Sequence, residues 1–418
     1  MKLWIVAADM GYGHLRAAYS FEKNANLKIL NIGNDEFTSE KVKSKWKIYQ
    51  GMYEVVSRNK NKHIIGKFLF GLMNDLLWIP NLYTKRDLSQ PTYQVKMLYK
   101  QIQKGLYDDF IKIVSDNHLP IFSTFYAPSI AADFNGRDNN YCFITDSDLN
   151  RVWVAENPQQ SKIKYFVASD RAYYRLLKYG VKNENIFKTG YPFNDEILTE
   201  EAVKNSLVRR LKIFDPEGKS ELKKIITEKI GFDYTDVIRK EPLTITFAVG
   251  GAGAQRELAR KILKGFKNEL YENKIKFYLV AGSRNDVREY FDNLVEKENY
   301  VNVEIIYEKN KMDYFKKFDN VMLQTDILWT KPSELSFYTA IGLPIIIAPT
   351  IGAQEEANKK WLRDEMGIGI IQNKPSYAKE WVEHHLKSKR FVDAAILGFL
   401  KQNIDGKQKI LNIIKDNL

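Results

Sequence analysis

Short, mostly apolar runs recur along the chain, separated by stretches whose apolar residues return every three or four positions. Residues 3–8 form the first run, and others follow at 28–32, 120–123, 141–145 and 165–168. A second series comprises 243–249, 277–281, 303–306, 321–323 and 344–348. Runs without polar alternation fit strands covered on both faces, as in parallel sheets. Strand and helix alternate through each series, which predicts an α/β chain of two doubly wound, Rossmann-like parallel-sheet domains facing across a cleft. Ligands of such sheets bind at the carboxyl ends of the strands.

The pattern divides the chain into an N-terminal domain over 1–192, a linker region over 193–241 and a C-terminal domain over 242–390. The linker region is charged and carries Pro216. Helical segments beyond about 391 have no strand partner and are expected to pack back onto the first domain. With 418 residues, both domains are long enough to bury a core without staples. The hydrophobic share of 44% excludes a disordered or collagen-like chain. Cys142 is the one cysteine, which excludes an intramolecular disulfide framework and a multi-cysteine zinc cage. No metal or resident cofactor is expected. The apolar run after Lys2 is too short for a signal-peptide core, and no run reaches the roughly 18–20 apolar residues of a membrane span. The expectation is a cytoplasmic protein, soluble or peripheral to a membrane.

Charge changes this picture. The net charge of +12 points to an anionic partner. Between residues 39 and 104 stand 13 Lys/Arg against 4 Asp/Glu, so most of the excess sits in one segment. Trp46, Tyr49, Tyr53, Phe68, Phe70, Trp78, Tyr83, Tyr93 and Tyr99 are interleaved with it. Ile64, Ile65, Phe68, Leu69, Leu72, Met73, Leu76 and Leu77 form an amphipathic helical stripe there. It reads either as core packing with a solvated basic face or as a surface lying on anionic lipid. Nucleic-acid binding also uses basic residues with aromatics, but no nucleic-acid fold signature is present, and no nucleic-acid partner is expected.

Two glycine loops carry candidate chemistry. In Gly11-Tyr12-Gly13-His14 the glycines let the chain leave a strand sharply and approach a ligand, and His14 is placed to take a proton from a hydroxyl. A tight turn with a structural histidine is the plain alternative. Gly250-Gly251-Ala252-Gly253 leaves the run at 243–249 and opens a helix through Ala254, Leu258 and Ile262. It reads as a strand-to-helix turn or as a phosphate cradle of backbone amides. No Gly-Lys-Ser/Thr follows, and no glycine stands three residues after Gly253, which argues against a kinase or a dehydrogenase.

These motifs, with Thr145-Asp146, Trp153, Lys188-Thr189-Gly190-Tyr191-Pro192, Ser283-Arg284-Asn285, Thr330-Lys331, Gly342-Leu343-Pro344 and Gly352-Ala353-Gln354-Glu355-Glu356-x-Asn358, stand in a fixed order. In that order the chain resembles monogalactosyldiacylglycerol synthases and bacterial diacylglycerol glucosyltransferases over about residues 1–370. More distantly it resembles the N-acetylglucosaminyltransferase of the peptidoglycan lipid precursor. The resemblance implies the two-domain GT-B architecture, with acceptor in the N-terminal half and sugar nucleotide in the C-terminal half. It implies His14 as base, with Asp146 or Asp148 orienting it or the acceptor. Gly11, Tyr12, Gly13, Tyr126 and Asp148 fall on the acceptor side. Gly250, Gly251, Ala252, Gly253, Ser283, Arg284, Asn285, Lys331, Ser333, Glu334, Gln354, Glu355 and Asn358 fall on the donor side. A turn or cap role for Asp146 and Asp148, and a solvated role for Glu355 and Lys331, remain open at this point.

Two positions depart from the pattern. Phe337 stands where relatives place a ribose-binding Glu, and Glu334 is the nearest acid. Phe125 and Tyr126 stand where relatives tend to have His-Pro. The expected activity is inverting transfer of a hexose from a nucleoside-diphosphate sugar, UDP on family grounds, to a hydroxyl of a membrane lipid such as diacylglycerol. The alternatives are a soluble acceptor, a sugar-nucleotide 2-epimerase and a non-catalytic sugar-nucleotide-binding protein.

Overall fold

A computed structural model describes residues 1–33, 38, 43, 78–250, 253, 255–350 and 352–418. The apolar helical stripe expected at 64–77 therefore lies outside the described residues, as do Gly251 and Ala252. The chain forms two compact units. The first comprises residues 1–194, 351–358 and 405–418, and the second 195–350 and 359–404.

Each unit is built on a six-stranded parallel sheet. In the first the strands are β1 (Trp4–Ala8), β2 (Leu30–Ile32), β3 (Ile121–Ser123), β4 (Asn140–Phe143), β5 (Lys164–Val167) and β6 (Ile186–Lys188), in the order β2-β1-β3-β4-β5-β6. β1 to β4, apart from Asn31, are buried along their whole length because helices cover both faces, which is why these segments read as continuous apolar runs. Cys142 lies in this core, fully buried, with its thiol pushed up to about 12 by loss of water.

The second sheet contains β7 (Leu243–Ala248), β8 (Ile275–Gly282), β9 (Val303–Tyr307), β10 (Ile327–Thr330), β11 (Ile345–Ile347) and β12 (Ile370–Ile371), in the order β12-β11-β10-β7-β8-β9. Successive strands are laid outward from β7 on one side, and the chain then returns to β10 and builds the other way. This is the order of the dinucleotide-binding fold.

The structure corrects three expectations. Residues 321–323 are not a strand but the end of the Lys311–Gln324 helix, whose Tyr314, Phe315, Phe318, Val321 and Met322 are buried at helical spacing. Asn310 starts that helix by accepting hydrogen bonds from the Met312 and Asp313 amides. The stretch 193–241 is no separate linker. Its Glu200–Phe214 helix buries Leu207, Leu211 and Phe214 in the second unit, and the fully buried Arg210 donates to the carbonyls of Met322, Thr325 and Ile341 at 2.6–2.7 Å. Neighbouring Arg209 and Arg239 pair with Asp326, buried at the foot of β10.

The C-terminal helices also divide differently. Arg390–Lys401 belongs to the second unit, and the Gly406–Asp416 helix to the first, where Gly406 abuts the Tyr191 carbonyl. In the Arg390–Lys401 helix a Cβ added at Gly398 would stand 2.5 Å from the Thr339 carbonyl oxygen. Alanine ordinarily gains about 1 kcal/mol over glycine inside a helix. Here Gly398→Ala is expected to destabilise the protein by about 1–3 kcal/mol through overpacking, the opposite sign, as read from urea unfolding midpoints.

Candidate active site

In a parallel sheet, two neighbouring strands whose connections run off in opposite directions leave a gap between their carboxyl ends. In the first unit those strands are β1 and β3. Gly11 leaves β1 with φ 110°, a conformation costly for any other residue, and a Cβ there would meet nothing within 4 Å. The Tyr12–Tyr19 helix follows and carries half-buried His14 in its first turn. β3 ends at Ser123, and Thr124 just beyond it continues the ladder by donating its amide to the Val6 carbonyl. The two chain ends thereby meet. His14 Nδ1 lies 2.6 Å from the Thr124 carbonyl oxygen and 3.4 Å from Thr145 Oγ1. A carbonyl can only accept, so Nδ1 carries the proton and Nε2 holds the lone pair. Nε2 has no hydrogen-bond partner among the described residues.

An aromatic wall encloses the imidazole. Phe125 meets it edge-on at 5.1 Å between ring centroids and Trp153 lies at 6.0 Å, with Tyr126 packed on both aromatics. Removal from water among these rings lowers the His14 pKa to about 4, partly opposed by the bond to Thr124. Burial likewise raises the Tyr126 hydroxyl to about 12. His14 is thus a neutral imidazole at physiological pH.

The acidic residues take other places than the sequence reading gave them. The ring nitrogen that a carboxylate would orient faces Thr124 instead. Asp146 accepts from Asn358 Nδ2 at 2.9 Å. Asp148, expected on the acceptor side, is buried between Arg175 (2.8 Å) and Arg171 (2.7 Å), where two guanidiniums neutralise it. Asn358, expected on the donor side, is fully buried, and its Oδ1 accepts from both the amide and the hydroxyl of Ser147. Segment 351–358 accordingly clusters with the first unit. Gln354 and Glu355, in the first turn of the Ala353–Lys360 helix, stay half-buried.

In the second unit the corresponding gap lies between β7 and β10, paired through Ala248 and Thr330. Gly250 and Lys331 follow these two strands. A Cβ on Gly250 would fall 2.1 Å from Lys331 Cε, so the lysine stem lies directly on the glycine backbone. Gly253 donates its amide to the Gly250 carbonyl at 2.7 Å and holds φ 67°. A Cβ on Gly253 would fall 3.2 Å from Arg284 Cδ. Two cations therefore flank one glycine turn. The helix expected to open there starts only at Leu258, so neither Gly250 nor Gly253 lies at a helix terminus. Gln255, which sequence reasoning missed, holds φ 68° and donates to the Pro349 carbonyl.

Other donor-side residues separate. Ser283 is half-buried just past β8, whereas Asn285 is exposed and donates to Glu289 one turn along its helix. Ser333 caps the 3-10 helix Glu334–Ile341 by accepting from the Leu335 amide. Phe337 is packed against Trp361 in the core, at 5.2 Å between centroids, so no ligand-facing group replaces the missing Glu at that position. Glu334, at the helix start, is half-buried. Among the described residues no group of three His, Cys, Asp or Glu could hold a metal ion.

A family model described as a domain of unknown function (DUF6938) matches residues 235–316 and 283–395. The chain is similar to the processive diacylglycerol beta-glucosyltransferase of Bacillus subtilis (strain 168), 23% identical over 413 residues, covering 96% of this chain and 90% of the relative. It is 20% identical over 409 residues to the enzyme of the same name from Bacillus pumilus (strain SAFR-032), with the same coverage. Among solved structures, Acinetobacter baumannii MurG matches over the full length of both chains with a TM-score of 0.51 at 12% identity. The resemblance read from the motifs is thus met by similarity along nearly the whole sequence, and the two parallel sheets are those of the GT-B fold. The curated relatives are named as glucosyltransferases, and with the GT-B fold this makes the chain an enzyme of the glycosyltransferase type.

The lowered His14 pKa has a signed consequence. The folded protein resists a proton that the unfolded chain binds near pH 6.5, so stability falls as pH drops from about 6.5 to 4 and the slope vanishes below 4. His14→Gln is expected to flatten that window in urea titrations. NMR of the wild-type imidazole should give a midpoint near 4, and a midpoint of 6 or above contradicts the enclosed ring.

Proposed function

We propose that the chain is an inverting glycosyltransferase that moves a hexose from UDP to a hydroxyl of a membrane lipid, with diacylglycerol as the first candidate. The acceptor hydroxyl gives its proton to His14 Nε2 as its oxygen bonds to the anomeric carbon. The bond from that carbon to the diphosphate breaks, and UDP departs with the electron pair. A neutral imidazole suits this role because it begins with its lone pair free. Charge growing on the diphosphate would be met by Lys331 and Arg284, without a metal ion. The observation that carries the reading is the pair of cations lying on Gly250 and Gly253 at the reversal point of the second sheet. Glu334 is assigned to the ribose, since Phe337 is packed into the core. The curated relatives, named for beta-glucosyl transfer to diacylglycerol, support the acceptor class.

A lipid surface as partner is supported by the described part of the basic segment. Trp78, Tyr83 and Tyr93 are exposed, alongside Lys85, Arg86, Lys96, Lys100 and Lys104, with Asp87 among them. Buried arginines hold this irregular chain in place: Arg175 donates to the Pro80 carbonyl and Arg151 to that of Ser89. Exposed Trp and Tyr beside Lys and Arg suit an anionic head-group layer. No described helix is long and apolar enough to cross a membrane.

The test is sugar transfer from UDP-glucose and UDP-galactose to diacylglycerol in vesicles containing phosphatidylglycerol, with product read by thin-layer chromatography. Glycolipid is expected, and His14→Ala should abolish it. Free UDP with an isomerised sugar and no lipid product would replace this reading by epimerisation. Lys331→Met should weaken UDP binding by calorimetry about tenfold, the loss of one charge-assisted contact. Gly250→Ala should act in the same direction by displacing the lysine.

A further inference from the structure

His14 is held by something other than a carboxylate. The residue that meets it is Thr124, and it does so at both ends. Its carbonyl takes the Nδ1 proton at 2.6 Å, while its hydroxyl donates to the His14 main-chain carbonyl at 2.8 Å. The Thr124 amide is fixed in turn to Val6 of β1 at 2.9 Å. The direction of the Thr124 carbonyl is set one residue on each side. Buried Ser123 accepts from the Phe125 amide at 3.2 Å and donates to the Phe125 carbonyl at 2.7 Å, locking the turn that carries Thr124. Phe125 then places its ring edge against the imidazole.

We propose that Thr124 is the positioning residue of His14: its carbonyl selects the Nδ1–H tautomer, its hydroxyl pins the helix turn bearing the ring, and Nε2 is thereby kept as the proton acceptor. The catalytic part of this statement rests on the reading of His14 as base; the tautomer does not. A neutral partner differs physically from a carboxylate. It fixes the ring while stabilising the imidazolium less than a full negative charge would, so the base is oriented but its affinity for the proton stays low. The proton taken from the acceptor would then pass readily to solvent.

The experiment is long-range proton–nitrogen NMR on wild-type protein labelled at histidine, at pH 7, combined with kinetics of Thr124→Val and Thr124→Ser. For His14 the expected spectrum has Nδ1 as the protonated nitrogen and Nε2 as the bare one. Thr124→Val keeps the volume but removes the hydroxyl, and should mix the two tautomers. Its kcat for sugar transfer should fall roughly tenfold to a hundredfold, with the KM for the donor unchanged within about twofold. Thr124→Ser should restore both. A wild-type spectrum with the proton on Nε2 overturns the proposal without any variant having to fold, and so does a Thr124→Val protein with unaltered tautomer and kcat. If the Nδ1–H tautomer is found but no acceptor is ever glycosylated, the assigned function falls and the Thr124 clasp stands.

Discussion

Both units depend on one topological constraint. A parallel sheet whose connecting helices change sides leaves its two central strands ending in a shared gap, and main-chain groups there cannot be satisfied by the next strand. In the first sheet that gap lies beyond β1 and β3, in the second beyond β7 and β10. Every residue given a chemical role here, apart from the half-buried pair Gln354 and Glu355, follows directly from a strand of these pairs or from its neighbour. The apolar strands therefore do more than fill the core. By pairing Val6 with Ser123 and Ala248 with Thr330 they fix, to within a residue, which side chains emerge together.

Electrostatics separates the two gaps. The first is lined by aromatic rings around an uncharged imidazole, with the nearby Asp148 already neutralised by two arginines. The second has lysine and arginine stems laid on bare glycine backbone. A base must be free of its proton and a diphosphate must find positive charge, and these demands favour opposite surroundings. Elsewhere buried charge serves to join segments distant in sequence. Arg210 fastens a helix to three carbonyls, and Arg151 and Arg175 fasten the irregular chain around residues 80–89.

Much of this was legible beforehand because it is written in periodicity. Continuous apolar runs located most strands, and the two glycine loops after them located both gaps. Failures came where two structures share one pattern. Val321, Met322 and Leu323 are an apolar triplet whether they end an amphipathic helix or form a strand; β6 ends in an exposed lysine and β12 has two residues, so neither stands out. Charge density made 193–241 look like a linker, yet its charges include arginines that are fully or largely buried. Asn358 and Asp148 were assigned by motif, and tertiary partners claimed them. Thr124 could not have been found, since its decisive group is a main-chain carbonyl, which every residue possesses.

The buried thiol of Cys142 has a practical corollary. Conjugation with maleimides proceeds through the thiolate, and a sulfhydryl enclosed in the sheet with its proton held to about 12 offers almost none. The native chain is accordingly silent toward such reagents while folded. A single cysteine introduced on the surface becomes its one reactive address, and a spin label or dye attached there needs no prior removal of the natural residue.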